Sequence, residues 1–491
     1  MKKFKISVAA LLALSMMSQS AFACTGFVAG KNVMADGNAI IARTEDLEGA
    51  HNKNFKVIPA STSSKPVVFK DVAGFTTNLP KNSYKHTIVC DSEQSEGIYD
   101  EVGFNEKGVA LSATVSASAN ETALKADPLV ETGLSEASMT TVILPYAESA
   151  RDAVEKIAKI VDEKGSAEGN IIFASDKKES WYMEIYTGHQ YAAVKIPDDK
   201  YAVVANHFML GYVDLKDKDV IASKDLINLP KKNNFYAEHN KKFHAALSYG
   251  ETMGDYDRVR VWGGQHKFSP SKSVPYDTKV FELWQTPDKK ITLKDVMEFQ
   301  RYRYEDTDKN ANLEENKQVR AVGSPSSMEC HIIQIKPYLP EDICGTMWLT
   351  MANAEHSVYV PFYGNINDTP APYKVEGTLY DDSSFYWLMR NINVNSAKNR
   401  EKYGANVRKY WSTLEDEMIK ETVSTDKELK KIYKDNGKDA AAIFATEDLN
   451  KKVGKIFEDA TKINKELITY LAKDDAKSQK EPFMPSMMKN K

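Results

Sequence analysis

Short apolar runs separated by turn residues fill the chain from Cys24 to about Gly364, and they limit the fold more than any other feature. "CTGFVAG" and "NAIIAR" flank "KNVMADG", in which Asp36-Gly37 supplies a hairpin turn. "GVALSATVS" ends a second hairpin after "FNEKG". "NIIFAS", "WYMEIYTG", "YAAVKI" and "YAVVAN" predict an antiparallel meander, and "HIIQI", "GTMWLTM" and "SVYVPFYG" predict a later group of strands. The pattern is typical of a strand-rich domain.

Helical periodicity interrupts these strands. Apolar residues recur at three-to-four spacing from Ala150 to Val161, where Gly165 closes the segment, and Thr292 is a suitable N-cap for "LKDVMEFQRY". After "NDTPAPY" the chain becomes highly charged and helical, with one apolar face from Leu449 to Leu471. We therefore expect a strand-rich domain over 24–366 and a mainly helical region over 367–491 that packs on it. The last residues, "AKSQKEPFMPSMMKNK", predict a frayed tail.

Residues 1–23 have the layout of a secretory signal peptide. A lysine-rich start precedes an apolar run from Ile6 to Met17, which is shorter than the ~20 residues of a membrane-spanning helix. Ala21-Phe22-Ala23 forms an A-x-A cleavage pattern. We therefore expect cleavage after Ala23 and export to the periplasm or the extracellular medium, with no integral membrane segment after processing.

Composition narrows the class of partner. With 65 Lys and Arg against 69 Asp and Glu, the chain is mildly acidic, and 42% of its residues are hydrophobic. This balance argues against nucleic acid or an anionic membrane as the main partner. The sequence leaves a homo-oligomer open. It contains no Gly-x-Gly-x-x-Gly or P-loop motif that would suggest a nucleotide, and we expect no cofactor.

Four cysteines in an exported chain of this length do not make a disulfide scaffold. If Cys24 stays free, an odd number remains, so Cys330 and Cys344 form a local bridge or all three are buried thiols. Cys330-His331, Cys344 and His356 fit no common zinc spacing, and we expect no metal site.

Cleavage after Ala23 would give Cys24 both a thiol and a free α-amine. A thiol with a pKa near ~8.5 is only partly ionised at neutral pH. The α-amine, with a pKa of about 7.7–8.0, is close enough to serve as its general base. In the precursor the same nitrogen is an amide and cannot take a proton, so removal of the signal peptide would also activate the nucleophile.

Arg43 and Asp46 stand at the end of the second strand of the first hairpin, in "GNAIIARTED". If this strand lies beside Cys24, Asp46 can hold the α-amine and Arg43 can lower the pKa of the thiol. A solvated turn is the alternative that the spacing alone leaves open.

"CTGFVAG…MADGNAIIARTED" resembles the N-terminal signature of the dipeptidase A and secernin family of cysteine peptidases. That family belongs to the N-terminal-nucleophile hydrolases, as do bile salt hydrolases and penicillin V acylase. "GFNEKGVALSATVS", "SWYMEIYTGHQYAAVKIPDDKYAVVANHF", "GDYDRVRVW" and "MWLTMANAEHSVYVPFYGNI" are similar to further segments, so the likeness extends from Cys24 to about Ile366. The resemblance implies an α+β fold, a four-layer αββα sandwich with an added C-terminal helical region.

The same resemblance implies roles for single residues. Cys24 would attack the scissile carbonyl, and Arg43 and Asp46 match the superfamily's Arg-x-x-Asp pair, in which the aspartate contacts the α-amine. Asn206 matches an asparagine that helps to form an oxyanion hole. The related acylases carry another asparagine where this chain reads "LSATVS", so the second oxyanion donor, Thr114 or a neighbour, stays unassigned.

A dipeptidase must recognise the free amine of its substrate, and often its carboxylate. Glu45 or Asp46 would meet the first need. Arg258 and Arg260 alternate with valines in "GDYDRVRVW", which predicts a shared strand face from which one of them binds the carboxylate bidentately. A structural ion pair with a neighbouring aspartate is the open alternative.

Three functions remain on this sequence. A secreted cysteine dipeptidase would hydrolyse short peptides through an acyl-enzyme at Cys24. An amidase or acylase of the bile salt hydrolase or penicillin V acylase type could use the same scaffold, although the C-terminal region and the dipeptidase-type motifs count against it. The non-enzyme alternative is a lipid-anchored surface binding protein, but Ala21 and Phe22 suit a lipoprotein signal poorly.

Overall fold

The computed structural model describes residues 24–47, 49–95, 97–475 and 481–489. The predicted signal peptide, residues 1–23, lies outside the described residues, as do residues 476–480 and 490–491 of the predicted tail. Within the described part, no helix is both long enough and apolar enough to cross a membrane.

The strands are short and mostly buried. In chain order they are β1 (Thr25–Ala29), β2 (Ala39–Asp46), β3 (Lys53–Ile58), β4 (Ser61–Thr62), β5 (Val67–Lys70), β6 (Thr76–Leu79), β7 (Asn82–Ser83), β8 (His86–Asp91), β9 (Val102–Asn105), β10 (Ala110–Ser116), β11 (Asn170–Ser175), β12 (Ser180–Ile185), β13 (Tyr191–Lys195), β14 (Tyr201–Val204), β15 (Val220–Ala222), β16 (Glu238–His239), β17 (Lys242–Phe243), β18 (Ser327–Ile335), β19 (Gly345–Met351) and β20 (Val360–Tyr363).

The α-helices lie between the strands and after them. They are α1 (Glu121–Ala126), α2 (Glu136–Ile143), α3 (Ala150–Lys164), α4 (Asn228–Lys232), α5 (Ala245–Tyr249), α6 (Asp255–Phe268), α7 (Leu293–Gln300), α8 (Phe385–Ala397), α9 (Ala405–Asn436) and α10 (Lys438–Asp475).

Two large sheets form the center of the molecule. A six-stranded sheet has the order β14-β1-β2-β18-β19-β20, and an eight-stranded sheet has the order β15-β13-β12-β11-β10-β9-β8-β3. The sheets pack face to face, with β10 and β11 against β2. Gly26 lies in this interface, where an added Cβ would come within 2.6 Å of the Phe173 ring, so the glycine allows the close approach.

Helices cover the outer face of each sheet. Val142 of α2 and Ile157 of α3 share a buried cluster with Ile172 and Met183 of the eight-stranded sheet. On the other side, α6 packs against β14 and α7 against β18. The layers therefore run helix, sheet, sheet, helix, which confirms the expected αββα sandwich.

Local sequence signals account for the predicted elements. Gly37 has φ +73°, the left-handed conformation that the β1–β2 turn requires. The side chain of Ser149 caps α3 by accepting a hydrogen bond from the Asp152 amide, and Thr292 and Asp295 form a capping box at α7.

Two strand predictions are wrong. "YAVVAN" does not continue the meander, because β15 occupies the free edge of β13 while β14 crosses to the other sheet and pairs with β1. Arg258 and Arg260 lie on helix α6 rather than on a strand. Asp255 and Asp257 stand in the first turn of this helix, where acidic residues are favourable, and each pairs with the arginine three residues later.

The C-terminal helices share a hydrophobic core with the sheets. Trp411 of α9 and Leu449 and Leu467 of α10 are buried in the cluster that also contains β18 to β20. The segment 481–489 is not frayed, because the Phe483 side chain is buried and its amide donates to the Lys402 carbonyl at 2.8 Å.

The four cysteines are free and buried, so of the two alternatives for Cys90, Cys330 and Cys344 the three buried thiols apply and the local bridge does not. β18 and β19 pair Ile335 with Gly345, which sets Cys330 and Cys344 roughly 20 Å apart along the strands. The part of the chain that the structure describes also holds no group of three or more His, Cys, Asp or Glu side chains arranged for a metal ion.

Candidate active site

Strand register brings three of the predicted residues together at one end of the six-stranded sheet. β1 pairs Thr25 with Thr44 on one side and Gly26 with Val204 on the other. Continuing the β1–β2 register places Glu45 directly opposite Cys24. Residues opposite each other in antiparallel strands point to the same face, so both side chains face the gap between the two sheets. Asn206 lies two residues beyond the end of β14, and its side chain reaches the same gap, where it contacts the Ser116 carbonyl of β10.

Arg43 lies two residues before Glu45 on the same face and contacts Cys24. Its Nη1 is 3.4 Å from Cys24 Sγ and donates to the Thr114 carbonyl at 2.6 Å. Its Nη2 pairs with the Glu101 carboxylate at 2.5 Å. Both partners belong to the eight-stranded half, so Arg43 joins the sheets while it presents a positive charge to the thiol.

The Cys24 side chain is neutral at rest. Burial raises the pKa of the thiol well above its ordinary value, and Glu136 and Asp46 raise it further, while Arg43 lowers it. The raising effects dominate, so any reaction at this sulfur would need a base to remove its proton.

Asp46 lies at the end of β2 in a set of donors. It accepts hydrogen bonds from Thr44 Oγ1 at 3.0 Å, from Ser327 Oγ, and from Arg320 Nη2 at 2.5 Å. Thr44 Oγ1 in turn accepts from the Thr25 amide at 3.2 Å. This chain of bonds places the Asp46 carboxylate beside the start of β1, so the solvated-turn alternative for Asp46 does not apply.

Asn206 lies in the turn after β14. Its Nδ2 donates to the Ser116 carbonyl at 2.8 Å, and an amide nitrogen has a second hydrogen to offer. Glu184 holds the following turn by accepting from the Met209 and Leu210 amides at 2.6 and 2.9 Å.

The contacts of Thr114 do not identify it as the second oxyanion donor. Its carbonyl accepts from Arg43, and its Oγ1 is buried without a partner among the described residues. The second donor stays unassigned.

Arg258 and Arg260 do not line the cavity beside Cys24. Arg260 is fully buried, donates to the Cys24 carbonyl at 2.7 Å and to Thr25 Oγ1 at 3.2 Å, and pairs with Asp257 at 2.6 Å. It thus holds the main chain of the nucleophile. Arg258 donates to the Thr278 and Met253 carbonyls and fixes a loop.

A cavity of about 430 Å³ opens beside Cys24 and is rich in acid. Carboxylates come from both sheets and from the loops at its rim, and buried Lys53 lies between two of them, at 2.7 Å from Glu45 and 2.5 Å from Asp91. His51 pairs with the far oxygen of Asp91 at 2.9 Å. The acidic lining residues are Glu45, Asp46, Asp91, Glu93, Glu101 and Glu136.

Glu45 has unused hydrogen-bonding capacity. Its Oε1 accepts from Lys53, but its Oε2 is buried without a partner among the described residues. Burial raises the pKa of Glu45 to about 7, because the desolvation effect exceeds the opposing effect of Lys53. A buried carboxylate oxygen without a donor, next to a nucleophile, is suited to bind a cation.

Comparison with known proteins identifies the family of this chain. The model of the family described as Peptidase family C69 matches residues 23–413. The chain belongs to peptidase family C69. It is therefore a peptidase, and the cysteine type fits the family.

Relatives that match most of this C69 peptidase are named as probable dipeptidases. "Probable dipeptidase B" of Streptococcus pyogenes serotype M1 is 41% identical over 444 residues, which cover 87% of this chain and 89% of the relative. "Probable dipeptidase" of Salmonella dublin is 34% identical, covering 74% and 85%. Among solved structures, penicillin V acylase from Agrobacterium tumefaciens matches with a TM-score of 0.31 and 13% identity, over 69% of this chain and 86% of that one.

Sequence reasoning missed several cavity residues of the C69 peptidase. Lys53 and Asp91 stand directly opposite each other in the register of β3 and β8. Charged residues at inward-facing strand positions were the sequence feature from which this ion pair could have been predicted. Glu136 stands in the first turn of α2 behind Ser135, where it resembles an ordinary helix start. The catalytic roles of Cys24, Arg43, Asp46 and Asn206 and the substrate-binding roles of Glu45, Arg258 and Arg260 stay predictions.

Proposed function

We propose that this C69 peptidase is an exported cysteine dipeptidase whose nucleophile is the N-terminal Cys24 left by removal of residues 1–23. The observation that carries the proposal is that Cys24 and Glu45 line an acid-rich cavity, with Arg43 in contact with Cys24 and with Asn206 at the same end of the sheet. These four residues combine a nucleophile, a cation beside it, a carbonyl-binding donor and a site for an ammonium ion.

The mechanism uses the α-amine of Cys24 as the base. Because the buried thiol is protonated at rest, the amine takes its proton as Sγ attacks the scissile carbonyl, and Arg43, 3.4 Å away, stabilises the sulfur charge. The carbonyl oxygen becomes an oxyanion that an Nδ2 hydrogen of Asn206 stabilises. The protonated amine then gives its proton to the leaving nitrogen, and the C–N bond breaks.

Deacylation repeats these roles with water. The amine accepts a proton from water, the hydroxide oxygen bonds to the acyl carbon, and Sγ leaves and regains the proton. Asp46 and Arg260 keep the geometry, since Asp46 lies beside the start of β1 and Arg260 holds the Cys24 carbonyl at 2.7 Å. In the precursor the nitrogen is an amide, so cleavage after Ala23 switches the enzyme on.

The substrate class follows from the acidic cavity. The α-ammonium of an unblocked peptide would bind Glu45 Oε2, which has no other partner among the described residues. An N-acylated substrate lacks this charge and would leave Glu45 Oε2 buried without a donor, which is unfavourable. The names of the relatives as probable dipeptidases support the same class.

Two measurements test the proposal. The mass of the N-terminal peptide of the exported protein should match an unmodified chain that begins at Cys24. The purified protein should hydrolyse unblocked dipeptides and leave their N-acetylated forms intact, and Cys24→Ala should remove this activity while export continues.

Each alternative has its own signature. A diacylglyceryl adduct on Cys24 would support the lipid-anchored protein, and faster hydrolysis of N-acylated amino acids would support the acylase. Full dipeptide hydrolysis by Cys24→Ala would disprove the mechanism. Cys90→Ala is the matched control, because Cys90 is another buried free thiol and does not line the cavity.

A further inference from the structure

We propose that a strap formed by residues 374–378 closes the amine-binding end of the cavity and restricts cleavage to the bond after the first residue of a peptide. This inference rests on the proposed function, in which Glu45 binds the substrate α-ammonium. It assigns the strap and its anchor Asn52 as determinants of which bond is cut.

The strap crosses the rim of the cavity from the C-terminal region. Thr378 lines the cavity, although it follows the predicted boundary at residue 366 and lies far in sequence from the other lining residues. Gly377, with φ +109°, makes the turn that brings it there, a conformation that favours glycine. The helical region thus contributes directly to the substrate site.

Side chains next to the acidic cluster hold the strap in place. Asn52 Nδ2 donates to the carbonyls of Val375 and Gly377 at 2.9 and 3.0 Å. The Gly377 amide donates to Ser92 Oγ at 2.9 Å. Asn52 directly precedes Lys53, and Ser92 directly follows Asp91. Both anchors are therefore chain neighbours of residues that form the ion pairs of the cavity.

A continuous series of contacts leads from the nucleophile to the strap. Glu45 lies opposite Cys24, Lys53 is 2.7 Å from Glu45, and Asp91 is 2.5 Å from Lys53. Ser92 then joins Asp91 to Gly377. The strap is therefore on the Glu45 side of Cys24, beyond the position where the ammonium would bind.

This order fixes what the strap can exclude. With its carbonyl at Cys24 and its ammonium at Glu45, the first residue of a peptide fills the space between them. A preceding residue would have to extend about 3.5 Å further, toward the strap. It would also replace the ammonium by a neutral amide. The charge of Glu45 and the position of the strap thus both favour cleavage of the bond after the first residue.

The strap is attached mainly by hydrogen bonds rather than by burial. Glu376 and Thr378 are exposed and Gly377 is half-buried, and Trp387 Nε1 adds a contact of 3.4 Å to the Gly377 carbonyl. Asn54 Nδ2 also donates to the Val375 carbonyl, at 3.0 Å, and holds the first part of the strap. Removing the Asn52 amide should therefore loosen the Gly377 end of the strap, next to Thr378, without opening the core.

The test uses a tripeptide whose first peptide bond is N-methylated, so that release of the third residue reports cleavage of the second bond alone. The matching unblocked dipeptide reports first-bond cleavage. The ratio of the two rates should rise by about tenfold or more in Asn52→Ala, which loses two hydrogen bonds to the strap. Ser92→Ala, which loses one, should raise it less.

Asn120→Ala is the matched control. Its Nδ2 likewise donates to two main-chain carbonyls, those of Ser248 and Gly250, but it does not line the cavity. A ratio that stays at the wild-type value in both Asn52→Ala and Ser92→Ala would overturn the role of the strap, even with normal dipeptide hydrolysis. Absence of dipeptide hydrolysis in the wild-type enzyme would instead count against the proposed function.

Discussion

Two buried ionic clusters of this peptidase differ in how completely their polar atoms are paired. In the cluster between α7 and α9, Glu415 contacts Arg301 at 2.5 Å and Lys294 at 3.0 Å, and it accepts from the Tyr359 amide at 3.0 Å. Every guanidinium nitrogen of Arg301 has a partner, including the carbonyls of Ala354 and Ser357. In the cavity cluster, Glu45 has a partner for only one oxygen among the described residues.

The difference separates structural from functional charge. We call a buried ion pair saturated when each of its charged nitrogen and oxygen atoms has a partner. A saturated pair holds its helices and strands together and has no free donor or acceptor for a ligand. An unsaturated carboxylate is energetically costly in the folded protein, as the raised pKa of Glu45 indicates, and binding of a cation would relieve that cost. The same substitution, Glu to Gln, should therefore have opposite consequences in the two clusters.

The largest expected effect is on stability, at the saturated cluster. Glu415→Gln leaves the fully buried Arg301 without its main counter-charge and should cost about 3–5 kcal/mol of folding free energy. For a chain of this length, that corresponds to a melting temperature lower by roughly 3–5 °C, because the entropy of unfolding scales with length. Differential scanning calorimetry measures the shift.

Activity provides the control for this variant. Below its melting temperature, folded Glu415→Gln should keep the KM of the wild-type enzyme for dipeptides, since Glu415 does not line the cavity. If Glu415→Gln raised KM and left the melting temperature unchanged, the division into a structural cluster at Glu415 and a substrate-binding cluster at Glu45 would be wrong.

The next effect is on substrate binding, at Glu45. Glu45→Gln removes the charge that pairs with the substrate α-ammonium and should lower kcat/KM for dipeptides about 10- to 100-fold, mainly through KM. The melting temperature should change little, because Lys53 keeps its contact with Asp91 and a neutral amide avoids the cost of a buried charge. Steady-state kinetics and calorimetry on the same preparation test both parts. A loss of stability with unchanged KM would place Glu45 with the structural cluster.

The order of these residues in the chain explains which of them the sequence could predict. Cys24, Arg43 and Asp46 belong to one hairpin, and its turn signal at Asp36-Gly37 together with strand alternation was enough to place them at one end. Asn206 could be predicted only from the family resemblance. The local pattern predicted that β14 continues the meander of β11 to β13, whereas β14 pairs with β1 in the other sheet.

The remaining site residues depend on long-range packing. Arg43 meets Glu101 across the interface of the two sheets, and Asn52 meets Gly377 from a distant part of the chain. No periodicity encodes the register between sheets, so these contacts could not be read from local pattern. The strand prediction for Arg258 and Arg260 is wrong for another reason. Their alternation with valine suggested a strand, whereas the acidic first turn and the i, i+3 ion pairs favour the helix.

The smallest expected effect is a change in the pH profile, and it separates Glu45 from the base. The pKa of Glu45, raised by burial to about 7, reflects neighbours of both signs: Lys53 and Arg43 lower it, and Asp91 and Glu329 raise it. Since a raised pKa keeps the carboxyl neutral below that value, Glu45 binds an ammonium only as the pH rises through about 7. The Cys24 α-amine must also lose a proton, and its pKa in an ordinary chain is about 7.7–8.0.

On the acid side of the pH profile, log kcat/KM for a dipeptide should therefore rise with pH with a slope approaching 2. Glu45→Gln should reduce this slope to 1, because only the ionisation of the α-amine remains. At pH 6 the wild-type enzyme would lose about tenfold to Glu45 protonation alone. A slope of 2 that persists in Glu45→Gln would assign the second proton to another group, such as His51, whose pKa Asp91 raises.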